Sequence, residues 1–285
     1  MTTAGPVGPT HPLPSQHVST DHADADAPEQ SSAAQAYLRH IAPFTRPFGK
    51  AAVAALIDAA PLPLRHVLDH GSGTGQVARL LHDCVPAATI RCLDPNADLL
   101  SAAPCRPLDD WSVTQVGTAA DLSPDDQFDG IVSNLVLPFT GDAVDDLAQL
   151  RATLLTGCPF VTVTLGSAEQ VQPFYAYWDT FRSIEPSCWE PQRYVHFRFG
   201  DTTQLETVLA QAGFSTITVT EVSVTRQLTV DAVWEWLSSA LPLGRGDGYS
   251  PPGHELHGLA QSTFADRFRH KTSWTTQCLM AVATH

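Results

Sequence analysis

One short segment constrains this chain more than any other: Val67-Leu68-Asp69-His70-Gly71-Ser72-Gly73-Thr74-Gly75. An apolar run ends there in three glycines at alternate positions, and Gln76 to His82 follows with helical spacing. Glycine has no Cβ and tolerates positive φ, so such a loop turns sharply and lets backbone approach a ligand closely. Arg65 to Asp69 therefore reads as a buried parallel strand that feeds a glycine turn and then a helix, the start of a site for a nucleotide-type ligand. The dinucleotide fingerprint G-x-G-x-x-G does not fit. Its third glycine comes one position early here, and Gln76 stands where glycine or alanine is required.

The same rhythm recurs along the chain. Thr89 to Asp94, Trp111 to Val116, Phe128 to Ser133 and Phe160 to Leu165 read as further strands, with helical stretches such as Ala143 to Leu155 between them. Alternation of this kind implies a doubly wound parallel sheet. Upstream, Tyr37, Ile41 and Phe44 fall at helical spacing, and a second helix is expected from Pro47 through Ile57. Downstream come an aromatic-rich stretch from Phe174 to Phe199, a helix from Thr203 to Ala212, a strand from Ser215 to Val224 and a final strand from Thr275 to Val282. Between those last two strands, Asp231 to Leu237 and Leu256 to Phe268 read as helices. Before residue 33 the sequence is Pro, His, Ala, Asp, Ser and Thr with almost no large apolar residue, so a disordered tail over 1–32 is expected. Its histidines, His11, His17 and His22, are read as solvated.

Composition narrows the function classes. At 285 residues and 43% hydrophobic, the chain is long enough for one enlarged α/β domain. Sixteen Lys and Arg against 30 Asp and Glu give a net charge of -14, which opposes attraction to nucleic acid or anionic lipid. The six cysteines (Cys84, Cys92, Cys105, Cys158, Cys188 and Cys278) are scattered and suggest neither a disulfide framework nor a zinc or iron–sulfur centre. There is no basic start followed by an apolar core, and no apolar run long enough to cross a bilayer. The expectation is a cytoplasmic protein with a small-molecule partner, no nucleic-acid or membrane partner, and an oligomeric state left open.

Spacing and the preceding Asp69 make the glycine segment resemble motif I of the class I S-adenosylmethionine-dependent methyltransferases. Further matches follow in order: Asp94-Pro95 closing the second strand, Gly117-Thr118-Ala119-Ala120-Asp121-Leu122 after the third, Phe128 to Leu137 around the fourth, and Leu209-Ala210-Gln211-Ala212-Gly213-Phe214 before the closing strands. The resemblance implies a Rossmann-like doubly wound α/β fold with a seven-stranded sheet, an antiparallel final strand and helical substrate-cap insertions. It implies a single domain over 33–285 with cap elements around 33–60, 167–200 and 229–270. It also implies S-adenosyl-L-methionine as cofactor, held by Asp69, His70, Gly71, Ser72, Gly73, Gly75, Asp94, Pro95, Thr118, Ala119, Ser133, Asn134 and Leu135. Asp94 would accept hydrogen bonds from the ribose hydroxyls, as paired carboxylate oxygens suit two adjacent donors. Thr118 departs from the family, which commonly has an acid there; backbone of Ala119, or Asp121, would then meet the adenine.

Methyl transfer is an in-line displacement, so alignment, exclusion of water and removal of an acceptor proton are what such a protein must supply. After the fifth strand, Tyr175, Glu190, Tyr194 and His196 accompany Phe174, Tyr177, Trp178, Phe181 and Trp189. Histidine titrates near neutrality, which makes His196, and His40 on the early helix, the candidate bases. Phe174, Tyr175, Trp178 and Tyr194 are candidate substrate contacts, although aromatics at helical spacing also serve as core. Ser133 and Gly166 stand where metal-assisted relatives carry ligands, so no metal is expected. His254-Glu255-Leu256-His257 lacks the H-E-x-x-H spacing and reads as a solvated helix face. The leading expectation is methyl transfer to a small molecule, in secondary metabolism. The alternatives are a non-methylating cyclisation or decarboxylation on the same cradle, and a cofactor-sensing module.

Overall fold

The computed structural model describes residues 32–102, 111–186, 195–240 and 254–285. Tyr194, Trp189, Glu190, Cys105, Cys188 and the segment 1–31 lie outside the described residues.

Seven strands form one sheet in the order β3-β2-β1-β4-β5-β7-β6. They are β1 His66–His70, β2 Thr89–Asp94, β3 Ser112–Val116, β4 Gly130–Asn134, β5 Phe160–Leu165, β6 Thr216–Gln227 and β7 Ser273–Thr284. The first five are parallel, whereas β7 runs antiparallel to both of its neighbours. The Rossmann-like doubly wound architecture is therefore present, with its antiparallel last strand. β5 is buried at every position, and its Phe-Val-Thr-Val-Thr-Leu sequence suits a central strand covered on both faces.

Helices cover both faces. On one side lie α2 Ala42–Ala59, α3 Gln76–Cys84, α6 Gln172–Ile184, α8 Val230–Ala240 and α9 His254–Phe268, with the short α1 Ser32–Ala36 at the start of the chain leading toward α2. On the other lie α5 Ala143–Thr153 and α7 Thr202–Gln211, while the short α4 Ala97–Ser101 follows β2. Alternation along the strands divides the core accordingly: Val67 and Val132 face the first group, Leu68 and Ile131 the second.

Local chemistry explains several boundaries. The Asp142 side chain accepts from the backbone N–H groups of Val144 and Asp145, and Asp201 caps α7 by accepting from Gln204. Gly213, at φ +92°, ends α7: the Phe214 N–H reaches the Leu209 carbonyl and the Gly213 N–H reaches Ala210, a Schellman pair. That turn delivers Phe214 onto Phe160, with ring centroids 5.2 Å apart. The signature Leu209 to Phe214 is thus a helix stop coupled to a core contact.

Two expectations change. The early helices are one continuous run, in which Tyr37–Ile41 is a π-helical segment between α1 and α2 and Pro47 lies inside α2. The wide turn comes just before Pro43, which has no N–H and whose ring would crowd the Arg39 carbonyl of a regular α-helix. The Ala42 N–H instead reaches back to the Tyr37 carbonyl. Strand β4 starts at Gly130 and not Phe128, because Phe128 pairs with Leu154 in an isolated bridge.

Candidate active site

Strand β1 has β2 on one side and β4 on the other, so the chain reverses its winding between β1 and β4. Ligands of open α/β sheets bind at such a switch, beyond the carboxyl ends of the strands. The glycine turn leaves β1 at this point. Gly71, Gly73 and Gly75 adopt φ of +68°, +53° and +71°, all in the left-handed region. The N–H groups of Gly71 and Ser72 both reach the Leu93 carbonyl of β2, at 2.7 and 3.0 Å. A Cβ on Gly71 would stand 2.2 Å from a Val136 methyl, so the loop packs against the β4 turn with no room to spare.

Asp94 fixes the loop from below. One carboxylate oxygen accepts the Gly73 N–H at 2.8 Å and the other accepts the Asn96 N–H at 2.8 Å. Burial raises its pKa above the usual carboxylate range. Asp69 lies deeper, 1% exposed, and accepts the Ala78 N–H at 2.9 Å. Burial pushes its carboxyl up to about 8.

His70 and Ser133 are register partners on β1 and β4, and their side chains meet at 3.1 Å on the α5 face of the sheet. Burial holds the His70 imidazole down to about 4, so the 3.5 Å approach of its Nε2 to Asp146 Oδ2 is a polar contact and not an ion pair at neutral pH.

A cavity of about 410 Å³ opens above the switch point, a size typical of small-molecule sites. Gly71, Gly73, Asp94, Pro95, Asn96 and Leu99 line one end, and Asn134, Leu135, Val136, Pro138 and Phe139 line the middle. The far wall is Ile41, Phe44, Leu165, Phe174, His196 and Trp236, while the Tyr37 ring stands beside Gly73 with its hydroxyl bonded to the Thr45 side chain. Leu135 has φ +61°, alone among the described non-glycine residues in having a positive φ. A bulky side chain held there costs of order 1 kcal/mol and is retained at sites where geometry matters. The π-helical segment turns both Tyr37 and Ile41 to the cavity, and the Asn134 side chain donates to the Thr45 carbonyl at 3.3 Å, tying β4 to α2. Burial raises the Tyr37 phenol to about 12, keeping it a neutral hydroxyl. Burial also lowers His196 to about 4, so its imidazole is neutral near pH 7.

Residues 67–157 match a family described as methyltransferase domain. Over those residues the chain carries a methyltransferase domain. A malonyl-[acyl-carrier protein] O-methyltransferase of Paenibacillus sp. (strain JDR-2) is 28% identical over 218 residues, covering 72% of this chain and 76% of that protein. Among solved structures, the YcgJ protein of Bacillus subtilis superposes with TM-score 0.54 at 14% identity, over 82% of this chain and 97% of its own. The plantazolicin methyltransferase BpumL, solved with SAH, gives TM-score 0.52 at 14% identity over 89% of each chain. Both share the fold.

Within this methyltransferase domain, six of the residues expected at the cofactor line the cavity: Gly71, Gly73, Asp94, Pro95, Asn134 and Leu135. Asp69, Ser72 and Gly75 lie behind the loop, shaping it without reaching the cavity wall. His70 and Ser133 face α5, because side chains alternate along β1 and β4 and their neighbours Asp69 and Asn134 take the other face. Thr118 caps a 3-10 turn through Asp121, whose carboxylate accepts both its N–H and its hydroxyl, and Ala119 is buried toward α5.

Of the acceptor-side residues, Phe174 and His196 line the cavity. Trp178 does not: one helical turn beyond Phe174, it packs in the core against Tyr177 and Phe181. Tyr175 lies near Arg182, and neither it nor His40 lines the cavity. Sequence reading gave no site role to Tyr37, Phe44, Phe139, Leu165 and Trp236, all of which line the cavity. Phe139 follows the fourth motif directly and was within reach of that pattern; Trp236 comes from a distant helix and carries no local signal.

The cradle fits S-adenosylmethionine in three respects. The Gly71 position excludes even a methyl group, Asp94 offers paired carboxylate oxygens at the loop, and an apolar cavity continues from it.

Proposed function

We propose that this protein transfers a methyl group from S-adenosyl-L-methionine to an oxygen of a small-molecule acceptor, a secondary metabolite. One observation carries this reading: a continuous cavity joins the glycine loop and Asp94 at one end to His196 and a wall of aromatic rings at the other. Gly71, Gly73, Asp94 and the Asn134-Leu135-Val136 turn would hold the cofactor, which supplies an electrophilic methyl group on a sulfonium. Segments 33–60, 167–200 and 229–270 act as the cap over it, with Tyr37, Phe174 and Trp236 as their contributions to the wall.

The protein's own work is alignment, drying and proton removal. Phe44, Phe174 and Trp236 exclude water and hold the acceptor, while His196, neutral through burial, accepts the acceptor proton. The relative's name, which specifies O-methyl transfer, supports oxygen as the acceptor atom. Among the described residues no helix is long and apolar enough to cross a membrane.

His196→Ala is expected to lower kcat by roughly 10²- to 10⁴-fold, the usual worth of a general base, with affinity for S-adenosylhomocysteine unchanged. The imidazole must be neutral to take a proton, so kcat/KM should hold down to low pH and fall only as pH approaches about 4. Asp94 lines the same cavity and is shifted upward, so the variant decides ownership: an acid limb that survives in His196→Ala belongs elsewhere. An acceptor screen reading both methylated product and S-adenosylhomocysteine tests the reaction itself. Turnover that releases no S-adenosylhomocysteine would refute methyl transfer.

A further inference from the structure

The wall facing the glycine loop is built from rings. Phe44 lies 4.7 Å from Trp236 and 6.1 Å from Phe174, centroid to centroid, and Phe174 lies 5.7 Å from Trp236 at an interplanar angle of 81°. His196 closes the group, edge-on to Phe139 at 5.0 Å and tilted against Phe174 at 6.2 Å. Each ring comes from a different part of the chain: α2, α6, α8, the turn after β4 and the 3-10 turn Val195–Phe197. Faces and edges at these spacings favour a flat guest that stacks on one ring and meets another edge-on.

Charge separates the possible guests further. Among the described residues lining the cavity, Asp94 is the only acidic or basic side chain apart from His196 and the Tyr37 phenol, and it stands at the glycine end. The nearby Arg198 is committed to the Thr140 and Gly141 carbonyls, at 2.7 and 3.2 Å. A carboxylate entering the ring wall would lose water and find no cation among the described residues there, which strongly disfavours it. The indole N–H of Trp236 is buried with no hydrogen-bond partner among the described residues, a donor that a polar atom on a guest would satisfy.

We propose that the acceptor is an uncharged planar ring compound bearing an ionisable hydroxyl, seated among Phe44, Phe174 and Trp236 with that hydroxyl at His196. The inference rests on the methyl-transfer reading above and narrows it. The hydroxyl proton passes to the His196 imidazole and an oxygen lone pair forms the new C–O bond. The methyl–sulfur bond breaks with its electron pair on sulfur. The products are a methyl ether and S-adenosylhomocysteine, and the imidazolium then gives its proton to water.

The test uses the full chain saturated with S-adenosylhomocysteine and three probes that share one ring system: 2-naphthol, 2-naphthoate and 2-naphthylmethylammonium, titrated calorimetrically at pH 7. Naphthol should bind at least about tenfold more tightly than either charged probe. Trp236→Leu and, separately, Phe174→Leu should each weaken naphthol by roughly tenfold. Affinity for S-adenosylhomocysteine should stay within about twofold in both variants, which also reports that they fold. Equal or tighter binding of the carboxylate or the ammonium, or naphthol affinity indifferent to both substitutions, would overturn the assignment of acceptor class while leaving the methyltransferase reading intact. Failure of the wild-type chain to bind S-adenosylhomocysteine would instead remove that reading, and this inference with it.

Discussion

Gly71→Ala is expected to abolish measurable cofactor binding and to lower stability by about 3 kcal/mol. Two effects add. A left-handed φ of +68° costs an L-residue roughly 1–2 kcal/mol. A Cβ would also meet the Val136 methyls at 2.2 and 2.5 Å, where neither partner has space to yield without moving the turn after β4. That turn holds Leu135 in its positive φ and lines the cavity, so the disturbance goes straight into the site. Gly157→Ala is the control. Its φ is +78°, yet nothing lies within 4 Å of the added Cβ, so it should lose only the backbone part, about 1 kcal/mol, with cofactor affinity unaltered. Thermal unfolding and titration with S-adenosylhomocysteine on both variants check the pair. Equal destabilisation in the two would show that the Val136 contact is unimportant.

Asp94→Ala should weaken S-adenosylhomocysteine binding by roughly 10²- to 10³-fold, or about 3–4 kcal/mol, the worth of two charge-assisted hydrogen bonds. Asp94 also organises the loop itself. Its two oxygens take the Gly73 and Asn96 N–H groups, and both donors lose their partner in the alanine variant. A further loss of about 2 kcal/mol in folding stability is expected. Asp94→Asn separates the two functions. It keeps one acceptor oxygen for one of those amides, so stability should recover in part, while the paired acceptors needed for adjacent hydroxyls are gone and affinity stays low. If Asp94→Asn bound as tightly as wild type, Asp94 would be a loop brace and no ligand contact.

The centre of the sheet was legible because strands such as β1 and β5 are buried on both faces and announce themselves as apolar runs beside glycine turns, as with Val67-Leu68 and Phe160 to Leu165. The antiparallel closing strand came through the resemblance, whose signature at Leu209 to Phe214 turned out to be a helix stop set by Gly213. The π-helical segment was not legible. It depends on the missing N–H of Pro43 acting within a helix that tertiary contacts sustain, and the two prolines read locally as a break.

At the site, the motif located the loop but not the direction of each side chain. Asp69 and His70 are neighbours in the motif, yet alternation along β1 sends one toward α3 and the other toward α5, and the same holds for Ser133 and Asn134 on β4. The aromatic cluster after β5 held both roles at once. Phe174 reaches the cavity while Trp178, one turn along the same helix face, fills the core. Trp236 joins them from α8, more than fifty residues on, which only the packing of α8 against the early helices decides.

On the reading proposed above, the glycine loop and Asp94 form a cradle for S-adenosylmethionine. Calorimetric titration of the purified chain with S-adenosylmethionine and S-adenosylhomocysteine, beside a nicotinamide dinucleotide, tests it most directly. One site per chain is expected, with micromolar affinity for the first two and no heat from the third. Binding of the dinucleotide, or no binding of either adenosyl compound, would contradict it.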